Sequence, residues 1–223
     1  MDLSLAIAFV FESRGALLAG LFNPFYYTML GMPIGLMIGS AVSFIREFGH
    51  PIVRIIATSY VELFRGTPVL IQLFWFFFCL PAILGIELGS EVSTVTALAL
   101  FMGALSSESF RASLKSIGAE QRDACLALGL PTRTAIFYVI LPQTIIRAVP
   151  TLLSNCVTLF KESALISAVG MADLMYQGQM IADTTARPVE ILTATALIYF
   201  IIAFTITRIV SIYEKSVIEQ IKA

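Results

Sequence analysis

Histidine occurs once, at His50, and cysteine three times, at Cys79, Cys125 and Cys156. Neither gives the paired spacing that a zinc or iron site needs. An odd number of cysteines excludes a complete disulfide framework, and scattered thiols in apolar runs read as small helix fillers. Charge is scarce as well: Asp, Glu, Lys and Arg make up 13% of the 223 residues, where a soluble domain carries about a quarter. A net charge of −1 leaves no basic field for nucleic acid. The Gly-x-x-x-x-Gly-Lys-Ser/Thr phosphate loop is absent, so the chain lacks the usual means of binding a nucleotide. A lone histidine in a loop near Arg46 is little material for a nucleophile–base pair or a metal-assisted reaction. A basic leader is missing too. Met1 to Val10 contains Asp2, and Glu12 and Arg14 follow, so an uncleaved first span is expected in place of a signal peptide.

What is abundant is apolar side chain. Hydrophobic residues make up 58% of the sequence, and the mean hydropathy is +0.89. A chain of this size could not hide that surface from water, and a lipid solvent removes the conflict. A bilayer core of about 30 Å needs roughly 20 apolar residues in a helix, so charge-free windows act as a ruler. They place spans at about 18–45, 52–86, 91–115, 137–160 and 190–209. Pro24, Pro33, Gly31, Gly35 and Gly39 in the first window predict a kinked or closely packed helix. The stretch 161–189 is too polar for a full span and too apolar for a free loop. Short helices that partly re-enter the membrane are expected there.

Five spans sort the basic residues into two groups. Arg46, Arg54, Lys115, Arg122, Arg133, Arg208, Lys215 and Lys222 share one side, and Arg14 and Arg187 share the other. The positive-inside rule then puts the N-terminus outside and the C-terminus in the cytoplasm, with the 116–136 loop. The tail from Tyr213 to Ala223 reads as a solvated helix end with Glu214–Lys215 and Glu219–Lys222 surface pairs.

Within the spans, ionisable and backbone-breaking residues stand out. Glu108 and Arg111 are i, i+3 and can pair with each other. They can equally meet the ammonium or carboxylate of a solute, because a charge in a span normally faces a bundle interior or a wet path. Glu62 and Arg65 have the same spacing and are expected to pair structurally. Pro68 removes a backbone donor just after Gly66 and Thr67, and exposed backbone at membrane depth is tolerated only inside protein or along a cavity. Thr67, Pro68 and Gln72 are therefore pathway candidates. Trp75 to Phe78 reads as bulk facing lipid or packing. Asn155 is expected to hydrogen-bond across helices, while Lys161 and Ser163 either reach the outer interface or border a pathway.

Between the third and fourth spans, good helix formers run from Ala119 to Leu128 and stop at Gly129, with Pro131 beyond. This loop, about 116–142, resembles the "EAA" motif of ATP-binding cassette (ABC) importer permeases. Here it reads Asp123-Ala124-Cys125, three residues, Gly129, nine residues, then Val139-Ile140-Leu141-Pro142. Asp stands for the motif's Glu, and Cys for its second Ala. Tyr60-Val-Glu-Leu-Phe-Arg65-Gly-Thr-Pro68…Gln72 resembles the "RGTP…Q" segment of the polar amino acid permeases. Glu108…Arg111 resembles their "AE…R". Pro142-Gln143…Arg147…Pro150…Asn155…Lys161-Glu162-Ser163 resembles their "LPQ…R…P…N…KdTSL" pattern. The resemblance covers about residues 55–170.

The resemblance implies a single all-α membrane domain, 1–223, of the type I importer permease fold in the bacterial inner membrane. It implies a coupling helix at Ala119 to Leu130, with Glu120, Arg122, Asp123, Ala124, Gly129 and Leu130 docking into an ATPase. It implies a dimer of ATP-binding cassette subunits that hold ATP and Mg, a second identical or homologous permease subunit, and an external solute-binding protein. This chain would hold no cofactor of its own. The implied solute is a polar amino acid, and the part after Gly170 leans slightly to the glutamate and aspartate permeases. An ion-coupled secondary transporter is the other class compatible with a polytopic chain, but it usually shows inverted repeats, and no convincing internal repeat is present.

Overall fold

The computed structural model describes residues 14–222. The expectation about Met1 to Val10 and Glu12 lies outside them. The Glu214–Lys215 and Glu219–Lys222 pairs lie outside the described side chains. The described chain is helical throughout, with no strand. Its elements are α1 (Arg14–Gly20), α2 (Phe22–Phe48), α3 (Pro51–Gly66), α4 (Val69–Leu84), α5 (Ser90–Lys115), α6 (Ala119–Ala127), α7 (Thr132–Val169), α8 (Leu174–Thr185) and α9 (Pro188–Lys222). α2, α7 and α9 are each long and apolar enough to cross a membrane. α3 and α4 together are long and apolar enough for a fourth, and are bent by 109° at a short break. α5, at 26 residues, is long enough to cross as well, but its Ser, Thr and charged residues make it less apolar.

α5 is the axis of the bundle. Ala97, Leu98, Met102, Ala104, Ser106 and Ser107 are all 0% exposed. Apolar attraction between helices vanishes in lipid, so close van der Waals packing through small residues takes its place. Pro33 sits inside α2, yet the helix runs unbroken from Phe22 to Phe48. Its glycines serve approach, not bending. A Cβ on Gly35 would come 2.5 Å from the Met102 Cβ, and one on Gly39 the same distance from the Ser106 Cβ. The buried stripe of α2 recurs every three or four residues: Gly31, Gly35, Gly39, Ser43, Arg46.

The α3–α4 break follows from one missing proton. In a continuous helix the Phe64 carbonyl would accept from the N–H of residue 68, which is a proline. The side chain of Gln72 replaces it, the two N–H donors of its Nε2 shared among Phe64 O at 2.8 Å, Thr67 O at 3.0 Å and Thr67 Oγ1 at 2.9 Å. Thr67 donates in turn to Leu63 O at 2.8 Å. Both α4 and α7 contain a turn of wider π-helix, at Trp75–Cys79 and Ala135–Ile140. The 161–189 stretch is helical, as the sequence leads one to expect. α7 tightens into a 3₁₀ turn over Ser163–Val169, Gly170 reverses the chain, and Asp173 caps α8 by accepting from Tyr176 N–H at 2.7 Å. Tyr199 of α9 donates to the other Asp173 oxygen at 3.0 Å. Burial pushes the Asp173 carboxyl above its ordinary range, against those hydrogen bonds.

Candidate functional site

Residues singled out in the sequence fall into three places. The first is a charged cluster where α2, α3 and α5 meet. Glu108 accepts from Arg46 at 2.8 Å and from Arg111 at 3.0 Å, and Arg65 approaches it to 3.9 Å. The i, i+3 pair Glu108–Arg111 exists, but it is part of a larger group. The expected Glu62–Arg65 pair is corrected: Arg65 is directed to Glu108, because the close crossing of α3 over α5 brings its end of α3 beside that carboxylate. The Tyr60 hydroxyl fixes the crossing, donating to Leu100 O at 2.6 Å.

Arg46 is the residue that sequence reasoning counted only as a flanking charge. It is 6% exposed and also reaches Ser107 Oγ at 3.5 Å. A signal was available, since Arg46 continues the Gly35–Gly39–Ser43 spacing and so had to face α5. One residue beyond Glu108, Asn155 of α7 donates to Ser109 Oγ at 2.8 Å, the expected bond across helices.

The second place is the α3–α4 break. Thr67 and Gln72 line a cleft of about 500 Å³ with Tyr60, Phe64, Trp75, Phe76 and Leu100. Pro68 is exposed beside it. The cleft is almost wholly apolar and aromatic. Gln72 is buried and its amide nitrogen is taken up by the break, leaving its Oε1 as a buried acceptor with no partner. The structure separates Lys161 and Ser163 from both places. Lys161 is exposed beside Tyr199, Phe200 and Phe204 of α9. Ser163 is 0% exposed and donates to Phe160 O at 2.7 Å.

The third place is α6, at the same end of the bundle as the last turns of α2 and α5. Gly129 has φ +66°, a left-handed conformation that costs other residues roughly 1–2 kcal/mol. It permits a paired C-terminal closure: Gly129 N–H donates to Leu126 O at 2.9 Å and Leu130 N–H to Cys125 O at 3.0 Å. Cys125 is buried beneath the helix, and Arg122 reaches Glu47 of α2 at 3.8 Å. Arg147 of α7 donates to Ser116 O at 2.7 Å, satisfying a terminal carbonyl of α5 just before the α6 loop. α6 is thus pinned at both ends, while Glu120, Asp123 and Ala124 stay exposed. Leu126 is 72% exposed and Leu128 76%. Leu126 and Leu128 thus form an exposed apolar pair at the C-terminal end of α6.

Residues 31–219 match the profile of the family described as "binding-protein-dependent transport system inner membrane component". A putative glutamine transport system permease protein of Rickettsia typhi is 33% identical over 192 residues, covering 86% of this chain and 88% of that protein. The glutamine transport system permease protein of Escherichia coli K12 is 34% identical over 191 residues, covering 85% and 87%. A probable amino-acid ABC transporter permease protein of Vibrio harveyi is 33% identical over 181 residues, covering 80% and 81%. Among solved structures, an amino acid ABC transporter crystallised with histidines superposes with a TM-score of 0.87 at 29% identity, covering 93% of this chain and 96% of that one. A methionine ABC transporter in an inward-facing form shares the fold at a TM-score of 0.71 and 21% identity. The chain therefore belongs to the binding-protein-dependent transport system inner membrane components, the non-enzymatic, multi-pass permease subunits of ABC transporters.

Proposed function

We propose that the chain is one membrane half of an importer for a polar amino acid, driven by a separate ATPase that docks on α6. The observation that carries this reading is α6 itself. It is too short and too charged to be a span, it is rigidly closed at Gly129, and it exposes Leu126 and Leu128. ATP and Mg would be held by the partner, since the sequence has no phosphate loop. Closure of two such ATPases would pull on paired α6 helices, and the spans would tilt between outward-open and inward-open forms. The excess of basic residues at the α6 end supports a cytoplasmic α6 and C-terminus with an external N-terminus. A second permease subunit, identical or homologous, would close the pathway, and an external binding protein would deliver the solute.

The names of the relatives make glutamine the first solute to test, with glutamate and aspartate next on the lean of the sequence after Gly170. The pathway would run past the Glu108–Arg111 cluster and Asn155, bordered by Thr67, Pro68 and Gln72, with Lys161 and Ser163 nearer the outer end. The test is uptake into vesicles carrying this chain with its ATPase and binding protein, over the twenty amino acids. Accumulation that needs ATP and favours a polar amino acid is expected. Uptake driven by a proton or sodium gradient without ATP would replace this reading with a secondary transporter.

A further inference from the structure

A second groove shares Arg46 and Arg111 with the Glu108 cluster. Its volume is about 540 Å³, and its lining is Arg46 and Glu47 of α2, Arg54, Ile55, Thr58 and Ser59 of α3, and Arg111 and Lys115 of α5. Four cations and one carboxylate face this space, and even with Glu108 counted the cations outnumber the acids by two. The acids are already engaged: Glu47 is within 3.8 Å of Arg122, and Glu108 holds Arg46 and Arg111. None of the ion pairs among the described residues includes Arg54 or Lys115. Arg46, 6% exposed, keeps a buried Nε with no hydrogen-bond partner. Clustered cations repel one another, and Arg54 and Lys115 stand at exposed positions on the lining with no acid of the described residues paired to them, so the groove is suited to an anion this chain does not supply.

The rim says which kind. Ile52, Ile55 and Ile56 of α3 are each 64–65% exposed, and they form an apolar face next to the charged floor. Guanidinium groups take phosphate oxygens in a two-pronged geometry, and the Thr58 and Ser59 hydroxyls add donors at phosphate height. A phosphate with acyl chains would satisfy floor and rim together, whereas a soluble phosphate would leave the isoleucines uncovered. We infer that the α2–α3–α5 groove binds the phosphate headgroup of an anionic phospholipid, with the acyl chains along the isoleucine face of α3. The positive surroundings match the anionic-lipid attraction of basic pockets at membrane helix ends. This inference rests on the membrane placement of the helices and not on which solute is carried.

Native mass spectrometry of the intact transporter, released from mixed phosphatidylglycerol and phosphatidylcholine membranes, tests it. Wild-type protein is expected to retain phosphatidylglycerol at least about tenfold over phosphatidylcholine, equivalent to about 1.4 kcal/mol. Arg54→Gln with Lys115→Gln, both at exposed positions outside the Glu108 cluster, should abolish that preference, and Arg54→Lys with Lys115→Arg should restore it. Equal retention of the two lipids by the wild type would overturn the proposal, as would an unchanged preference in the double Gln variant. A millimolar inorganic phosphate arm separates the sources. Displacement of the lipid would assign the groove to soluble anions and overturn the lipid reading, and retention supports it.

Discussion

The Glu108 cluster and α6 are both charged and both come from segments of the family pattern, yet they use charge in opposite ways. In the cluster, three arginines from three helices converge on one carboxylate within 3.9 Å, so the charges face one another inside the bundle. On α6, Glu120 and Asp123 face outward beside two exposed leucines, and only Arg122 turns back to the bundle. A cluster gathered around one carboxylate fixes how helices sit. An unsatisfied face is an invitation to something else. The proposed reading gives α6 the partner contact and leaves the Glu108 cluster to hold the helices beside the pathway, and substitutions can separate those roles.

The largest expected effect is from Glu108→Gln. Arg46 would lose its charge partner at 6% exposure, and breaking a buried pair costs about 3–5 kcal/mol. The melting temperature of the purified chain should fall sharply, with loss of folded protein in the membrane. A stable variant whose amino acid preference has changed would instead move Glu108 from scaffold to solute contact. Next is Gly35→Val. The added Cβ meets Met102 Cβ at 2.5 Å and Ala99 O at 2.9 Å, so overpacking should cost about 1–3 kcal/mol, read as a lower melting temperature. Gly129→Val should be milder in stability, about 1–2 kcal/mol from the positive φ, because nothing lies within 4 Å of an added Cβ. Its transport should suffer more than its folding, since the closure of α6 would be lost. The smallest stability effect belongs to Leu126→Ser with Leu128→Ser. Both side chains are more than 70% exposed, so stability should stay within about 0.5 kcal/mol of wild type, read as an almost unchanged melting temperature. Capture of the ATPase on the purified chain should nevertheless drop.

Much of this contrast was readable from residues alone, for physical reasons. Lipid makes charge-free length a useful ruler, so the long helices at the five expected windows, the α6 helix and its stop at Gly129 were legible. So was the broken span, because a missing donor at Pro68 has a fixed consequence. Gln72 was marked for its place near that break, but its repair of the Phe64 carbonyl needed three-dimensional geometry. The first span was expected at about 18–45, and α2 occupies Phe22–Phe48. The difference places Arg46 inside the helix, where it joins Glu108. Charge-counting treats such a residue as an interfacial marker, and only the spacing from Gly35 through Ser43 shows the face it occupies. Glu62–Arg65 failed for a related reason. Spacing along one helix says which partners are within reach, while the crossing of α3 over α5 decides which partner is taken. The Arg147 cap on Ser116 joins residues 31 positions apart and has no local signature.

The central claim is that α6 transmits force and does not hold the fold together. Its most direct test is the amino acid transported per ATP hydrolysed, measured in vesicles with the full transporter carrying Leu126→Ser and Leu128→Ser. A clear fall in that ratio is expected, with an unchanged melting temperature of the chain. A wild-type ratio in that variant, or a collapse of its folding, would contradict it.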